Sequence, residues 1–138
     1  MILLDTNVVS AVMVPAPPAP VLAWLDRQPT TDLYLSTVTI AEIMYGIRIL
    51  PEGKRRQDLA GRFERFLVRG FEQRVFPFDT PAAREYADIM GHRRQIGRPL
   101  SALDGQIAAI ARARRLPVAT RNVRDFEECG LEILNPFE

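Results

Sequence analysis

Ile2-Leu3-Leu4-Asp5-Thr6-Asn7-Val8 sets three apolar residues directly against three polar ones. A run this short, wholly apolar and stopped by an Asp-Thr-Asn turn, predicts a buried β-strand over Ile2–Leu4, and Val8–Met13 predicts the start of a helix. The same alternation continues down the chain. Leu33–Thr37, Val75–Phe78, Pro117–Thr120 and Leu131–Leu134 read as further strands. Helices are predicted over Val21–Arg27, Thr39–Leu50, Lys54–Arg69, Pro81–Gln95 and Ser101–Arg114. Pro15-Ala16-Pro17-Pro18-Ala19-Pro20 reads as a stiff extended connector between the first two helices, because proline fixes φ and has no N–H for a helix. Strands alternating with helices of this length imply βα units. The expected fold is three-layer α/β/α, with a five-stranded parallel sheet covered on both faces. In such sheets ligands bind beyond the carboxyl ends of the strands, which directs attention to Asp5, Asp79 and Thr120.

The chain has 138 residues, enough for one domain spanning 1–138 with one real core. Its hydrophobic content of 47% and charged content of 25% are those of an ordinary globular protein and exclude a disordered or fibrous one. No apolar run approaches the roughly 20 residues of a membrane helix, and Asp5 interrupts the N-terminal run before a signal-peptide core can form, so a cytoplasmic location is expected. A single cysteine, Cys129, excludes an internal disulfide, and the single histidine, His92, has no nucleophilic partner in any motif. Of the 18 basic residues only Lys54 is a lysine. Positive charge is therefore almost wholly guanidinium, which suits bidentate contacts to phosphate or carboxylate and equally follows from genome composition.

Four carboxylates stand where the pattern does not need them. Asp5 closes an apolar strand, where it could cap the following helix. Glu42 follows Thr39 by three and Asp104 follows Ser101 by three, so each could be the acidic member of a capping box. Helical spacing, however, puts Glu42 on a stripe with Val38, Tyr45, Gly46 and Ile49, and Asp104 on one with Leu100, Ile107, Ala108 and Ala111, which points both acids toward the core side. Asp125 sits on the loop after the fourth strand, where a solvated turn acid is the ordinary expectation. An unpaired buried carboxylate costs several kcal/mol, on the order of the penalty for any buried ion, so something positive is expected nearby. Acids at strand ends and helix starts, with no His or Cys beside them, suit a hard oxygen-preferring cation such as Mg²⁺ or Mn²⁺ rather than zinc.

Four segments carry a family resemblance: Leu3-Leu4-Asp5-Thr6-Asn7-Val8; Thr39-Ile40-Ala41-Glu42-Ile43 with Gly46; Asp104-Gly105-Gln106-Ile107-Ala108-Ala109; and Thr120-Arg121-Asn122-Val123-Arg124-Asp125-Phe126. In order and spacing the chain resembles PIN-domain proteins, and within them VapC-type toxins, over essentially its whole length. The resemblance implies an endoribonuclease in which Asp5, Glu42 and Asp104 form the core acidic triad and Asp125 a fourth, more variable acid. Thr6, Asn7, Thr120 and Asn122 would be supporting polar residues. It further implies Mg²⁺ or Mn²⁺ as cofactor and RNA as substrate, cleaved by a metal-activated water to leave a 5′-phosphate and a 3′-hydroxyl. The implied assembly is a homodimer, held inactive by a small DNA-binding antitoxin. An arginine of that partner could take the place of the metal, with Val9, Val12 and Trp24 as candidate anchoring positions. Gly105 departs from the pattern, since the family more often has alanine there, and glycine costs about 1 kcal/mol in a helix.

Other readings share the parallel sheet and acidic crevice. A response-regulator receiver wants a phospho-accepting aspartate after the third strand and a lysine after the fifth; Asp79 is only suggestive and Lys54 is in the wrong place. A haloacid-dehalogenase-like phosphatase wants an aspartate two residues after Asp5, where Asn7 stands. A catalytically inactive PIN-like module binding RNA or protein remains as the alternative of a different class. On Lys54–Arg69, Leu59, Phe63, Phe66 and Leu67 form the apolar stripe, leaving Arg55, Arg62 and Arg69 on a face open to solvent or to RNA.

Overall fold

The computed structural model describes all residues from Met1 to Glu138. Five strands form one sheet: β1 (Ile2–Leu4), β2 (Leu33–Ser36), β3 (Val75–Phe76), β4 (Val118–Ala119) and β5 (Ile133–Leu134). Their spatial order is β3-β2-β1-β4-β5, and every pairing is parallel. The chain therefore builds outward from β1 to one edge and then returns to β1's other side with β4. The topological switch point lies between β1 and β4, where a crevice must open beyond the strand ends.

Seven helices cover the sheet: α1 (Thr6–Val12), α2 (Ala19–Asp26), α3 (Thr37–Arg48), α4 (Lys54–Phe71), α5 (Thr80–Gln95), α6 (Ala102–Arg114) and α7 (Val123–Phe126), with a 3₁₀ turn at Thr30–Asp32. Alternate residues of β1 feed opposite faces. Leu3 joins Val118, Ile89, Ile107 and Ile110 in one core, whereas Ile2 and Leu4 join Leu33, Leu35, Phe63 and Phe71 in the other. With side chains alternating across a pleated strand, wholly apolar strands are what a sheet buried on both faces requires. The three-layer expectation holds.

Details differ from the sequence reading where side-chain caps decide. Helix α3 starts at Thr37 because Ser36 caps it, its Oγ accepting from the Thr39 amide at 3.1 Å; Thr39 is inside the helix and not its cap. Ser101 does cap α6, and Asp79 caps α5 by accepting from the Ala82 amide. The proline-rich stretch is not a uniform extended connector: Pro15 and Ala16 lie in a bend, and Ala19 and Pro20 already belong to the first turn of α2, where a missing N–H costs nothing. Tyr45 and Ile49 are 67% and 63% exposed, so the stripe holding Glu42 leaves the core after its first turn; Val38, Thr39 and Ile43 are the buried residues of that helix. Val9 is fully buried and Trp24 packs partly buried on the same core, which removes Val9 as an accessible anchor. No helix is long and apolar enough to cross a membrane.

Candidate active site

Asp5 ends β1 with its amide bonded to the Ala119 carbonyl, so backbone pairing with β4 fixes its place at the switch point. Its side chain is 3% exposed. Oδ1 accepts from the Thr6 backbone amide at 2.8 Å, and Oδ2 accepts from the Thr120 hydroxyl at 2.8 Å and from Asn7 Nδ2 at 3.1 Å. Asp5 is thus both the cap of α1 and a member of a polar cluster; the two readings are not exclusive. Burial pushes its carboxyl up to about 6, against the pull of the Thr120 and Thr6 hydrogen bonds, and the charges of Asp104 and Glu42 add to the rise.

Glu42 is reached through α3. The Thr6 hydroxyl donates to Glu42 Oε1 at 2.8 Å and also meets Thr39 Oγ1 at 3.0 Å, while the Ser36 hydroxyl donates to Thr39 Oγ1 at 3.4 Å. Ser36 and Thr39 are fully buried polar residues that sequence reasoning did not single out for this role. Their only local signal was a Ser-x-x-Thr spacing that served the helix start.

Asp104 lies in the first turn of α6, its amide donating to Ser101 Oγ at 3.2 Å. Burial raises its carboxyl, hydrogen bonding with Ser101 opposes the rise, and the charge of Asp125 adds to it. Asp5, Thr6, Asn7, Glu42, Asp104 and Asn122 line one cleft of about 560 Å³, together with Arg121. Thr120 lies just beneath, buried, with its Oγ1 also accepting from the Asn122 amide at 2.9 Å. Asp125 does not line this cleft; it stands on α7, near enough for its charge to be felt by Asp104.

Acids gathered at the switch point of this sheet make the crevice the candidate site, and comparison with known proteins decides the family. Residues 2–130 match the PIN domain family. The chain belongs to the PIN-domain family. It is similar to VapC ribonuclease Y4jK of Sinorhizobium fredii, 44% identical over 138 residues that cover 100% of this chain and 99% of the relative. It is also similar to Toxin FitB of Neisseria gonorrhoeae, 41% identical over 137 residues, 99% of each chain. Among solved structures, FitAB bound to an IR36 DNA fragment matches with a TM-score of 0.94 and 40% identity, covering 100% of this chain and 96% of that one.

The donor set of this PIN-domain cleft is all oxygen, which fits a hard divalent cation. Asp5 and Glu42 already spend oxygens on Thr6, Asn7 and Thr120, and no three acidic, histidine or cysteine side chains are close enough to enclose an ion by themselves. The arrangement therefore suits Mg²⁺ or Mn²⁺ held by one or two carboxylates and several waters, the usual habit of Mg²⁺. Outside the cleft, Asp79 is paired with Arg114 at 2.8 Å and His92 with Glu128 at 3.5 Å. Neither lines the cleft.

Proposed function

We propose that this PIN-domain protein is a divalent-metal-dependent endoribonuclease acting as the toxin of a toxin–antitoxin pair. One observation carries the proposal: Asp5, Glu42 and Asp104, from three separate elements, converge on one polar cleft at the β1/β4 switch point. The likeness to a VapC ribonuclease and to Toxin FitB supports the same reading. The whole chain, 1–138, is read as one domain serving that cleft, and an enzyme that attacks cellular RNA would work in the cytoplasm.

Asp5, Glu42 and Asp104 would hold Mg²⁺ or Mn²⁺ directly or through water, with Asp125 adding negative charge behind Asp104. When bound, the cation supplies charge neutralisation at the phosphoryl oxygens and acidifies water at neutral pH. The chain's own residues set the geometry. Thr6, Asn7 and Thr120 fix both oxygens of Asp5, and Thr6 fixes Glu42, so little reorganisation is needed when substrate arrives. Water attacks phosphorus in line, a new P–O bond forms, the bond to the 3′-oxygen breaks, and that oxygen leaves as the 3′-hydroxyl. With no histidine in the cleft, the carboxylates or solvent carry the proton. A catalytically inactive RNA- or protein-binding module is disfavoured by the complete acid set.

The assembly of FitAB on DNA supports a partner for this chain too: a small DNA-binding antitoxin, one of whose arginines would enter the acidic cleft by bidentate pairing. A homodimer is expected as well, and the exposed Tyr45 on α3 and Ile49 at its C-cap offer apolar surface for it. The deciding experiment is RNA cleavage by purified protein. Activity should require Mg²⁺ or Mn²⁺ and vanish in EDTA; undiminished cleavage in EDTA overturns the metal reading, and no cleavage with either ion overturns the nuclease reading.

A further inference from the structure

We infer that Arg121 is the phosphate-gripping residue of the cleft, held in place by the ring of Phe137. This rests on the nuclease reading and adds a substrate contact to it. Arg121 is the only cation among the residues that line the acidic cleft. Three other arginines of this half of the molecule are paired with carboxylates: Arg98 with Glu127, Arg112 with Glu85 and Asp88, and Arg114 with Asp79. Arg121 makes no ion pair although it shares a cleft with three acids.

Two contacts explain why it stays apart. Its backbone amide donates to Asn7 Oδ1 at 3.1 Å, and the same Asn7 donates to Asp5 Oδ2, so one amide side chain sets the arginine's origin relative to the acids. Its guanidinium carbon sits 4.0 Å from the centre of the Phe137 ring, at stacking distance. Phe137 packs partly buried against the core that contains Leu4 and Ala119, so the platform is anchored. A stacked guanidinium gives the ring one face and keeps its N–H edge free. That edge fits two non-bridging oxygens of a phosphodiester in a bidentate contact. Lys54, Arg55 and Arg62 line the adjoining groove that shares Thr6 and Glu42, so Arg121 is the cation placed on the cleft's other side, beside Asn7 and Asn122.

The test is fluorescence anisotropy of a short 5′-labelled single-stranded RNA over a series of KCl concentrations, with Ca²⁺ in place of Mg²⁺, followed by cleavage of the same RNA in Mg²⁺. Arg121→Ala should weaken binding about tenfold and lessen the slope of log affinity against log salt by about 0.7, the value for one phosphate contact on a single strand. In cleavage, KM should rise by a similar factor with kcat changed less than threefold, roughly the signature of uniform binding. Arg121→Lys should keep the slope and recover part of the affinity, whereas Phe137→Leu should lose a fewfold affinity with the slope unchanged. Arg84→Ala, which removes an exposed arginine from α5 outside the cleft, controls for net charge and should match the unmodified protein. If Arg121→Ala binds with unaltered affinity and slope, or if Arg84→Ala loses as much, the assignment of Arg121 is wrong while the nuclease stands. If the unmodified protein neither binds nor cleaves RNA, the nuclease reading falls and takes Arg121 with it.

Discussion

Arg93 reaches from α5 to donate to the backbone carbonyl of Asp125 at 3.0 Å, tying α7 to a residue 32 positions away in sequence. The same guanidinium bonds the carbonyls of Glu127 at 2.7 Å and Arg98 at 2.6 Å and lies 3.7 Å from Cys129 Sγ. It is 3% exposed and has no carboxylate partner. Carbonyl dipoles alone satisfy the charge, so the chain around α7 is built on this one side chain.

Removing it should leave three carbonyls and a cavity behind. Arg93→Met is expected to lower unfolding stability by about 3 kcal/mol or more, by analogy with other broken buried polar networks. Arg93→Lys should recover only part, having three donors and no planar fork. Urea denaturation measures both; a loss below about 1 kcal/mol for Met would show that water replaces the guanidinium freely.

Asp5 gives the metal-free protein a pH dependence whose sign is fixed. Its carboxyl is raised from 3.8 to about 6 on folding, so between those values the folded state binds more protons than the unfolded state. Stability is then full below about 4 and falls as pH rises through 6, by about 3 kcal/mol for a shift of about two pH units. Denaturation in EDTA at pH 4.5 and pH 7.5 should show this fall, and Asp5→Asn should remove it. Saturating Mg²⁺ should restore much of the loss at pH 7.5. A fall of the same size in the Asn variant would place the titration elsewhere.

Gly105 reads from sequence as a helix fault worth about 1 kcal/mol. Packing reverses that judgement. A Cβ there would meet Met90 Sδ at less than any ordinary contact distance and Tyr86 Cε2 at 3.1 Å, because α5 and α6 cross closely at this point. Gly105→Ala should therefore cost about 1 kcal/mol net, with overpacking exceeding the gain in propensity. In a Met90→Ala background the same change should become favourable. A higher melting temperature for the single variant would contradict the crowding argument.

How far the sequence discloses this molecule depends on whether a feature is local. Strands β1 to β5 were readable because each is a short apolar run cut by polar or turn residues, and their order down the chain alternates with helices. Their ends read up to two residues too long, since Phe78 continues the apolar pattern past the last pairing of β3, and Thr120 still bonds its amide to the Leu134 carbonyl just beyond β4. Asp5, Glu42 and Asp104, which the structure brings to one cleft, stand out in the sequence through segments whose register matches a family. Arg93 was one arginine among many on α5, and nothing in its neighbourhood announces three carbonyls from other loops. Helix α7 spans only Val123–Phe126, too short for any period to register. Arg121 stands between Thr120 and Asn122 with no local signal of its own, because its partner Phe137 lies 16 residues further along the chain.

The charge on each triad acid should matter for activity and not for folding. Asp5→Asn, Glu42→Gln and Asp104→Asn keep shape and remove one negative charge, so each should abolish Mg²⁺-dependent RNA cleavage while circular dichroism stays unchanged. Any one of them cleaving at the unmodified rate removes that residue from the site.

Hydroxyl protons lead to Glu42 along one direction. Ser36 donates to Thr39 at 3.4 Å, which leaves the Thr39 proton for Thr6 at 3.0 Å, and Thr6 in turn donates to Glu42 at 2.8 Å. Hydrogen bonds aligned this way polarise one another, and the last, to a carboxylate, is the shortest of the three. Thr39 never touches the cleft, yet it decides which way the Thr6 hydroxyl points. Thr39→Val keeps the volume, leaves the Ser36 hydroxyl without its acceptor at a cost of about 1–3 kcal/mol, and frees Thr6 to turn from Glu42. Supporting contacts of this kind commonly change metal affinity or activity about 10–100-fold. The Mg²⁺ concentration for half-maximal cleavage should therefore rise about tenfold in Thr39→Val, with activity approaching the unmodified rate at high Mg²⁺. Thr39→Ser keeps the hydroxyl and should stay within about twofold, which separates the hydrogen-bond relay from simple loss of packing. A Val variant that is less stable but has an unchanged Mg²⁺ dependence would mean that Thr39 only fills space and that Glu42 is held by Thr6 alone.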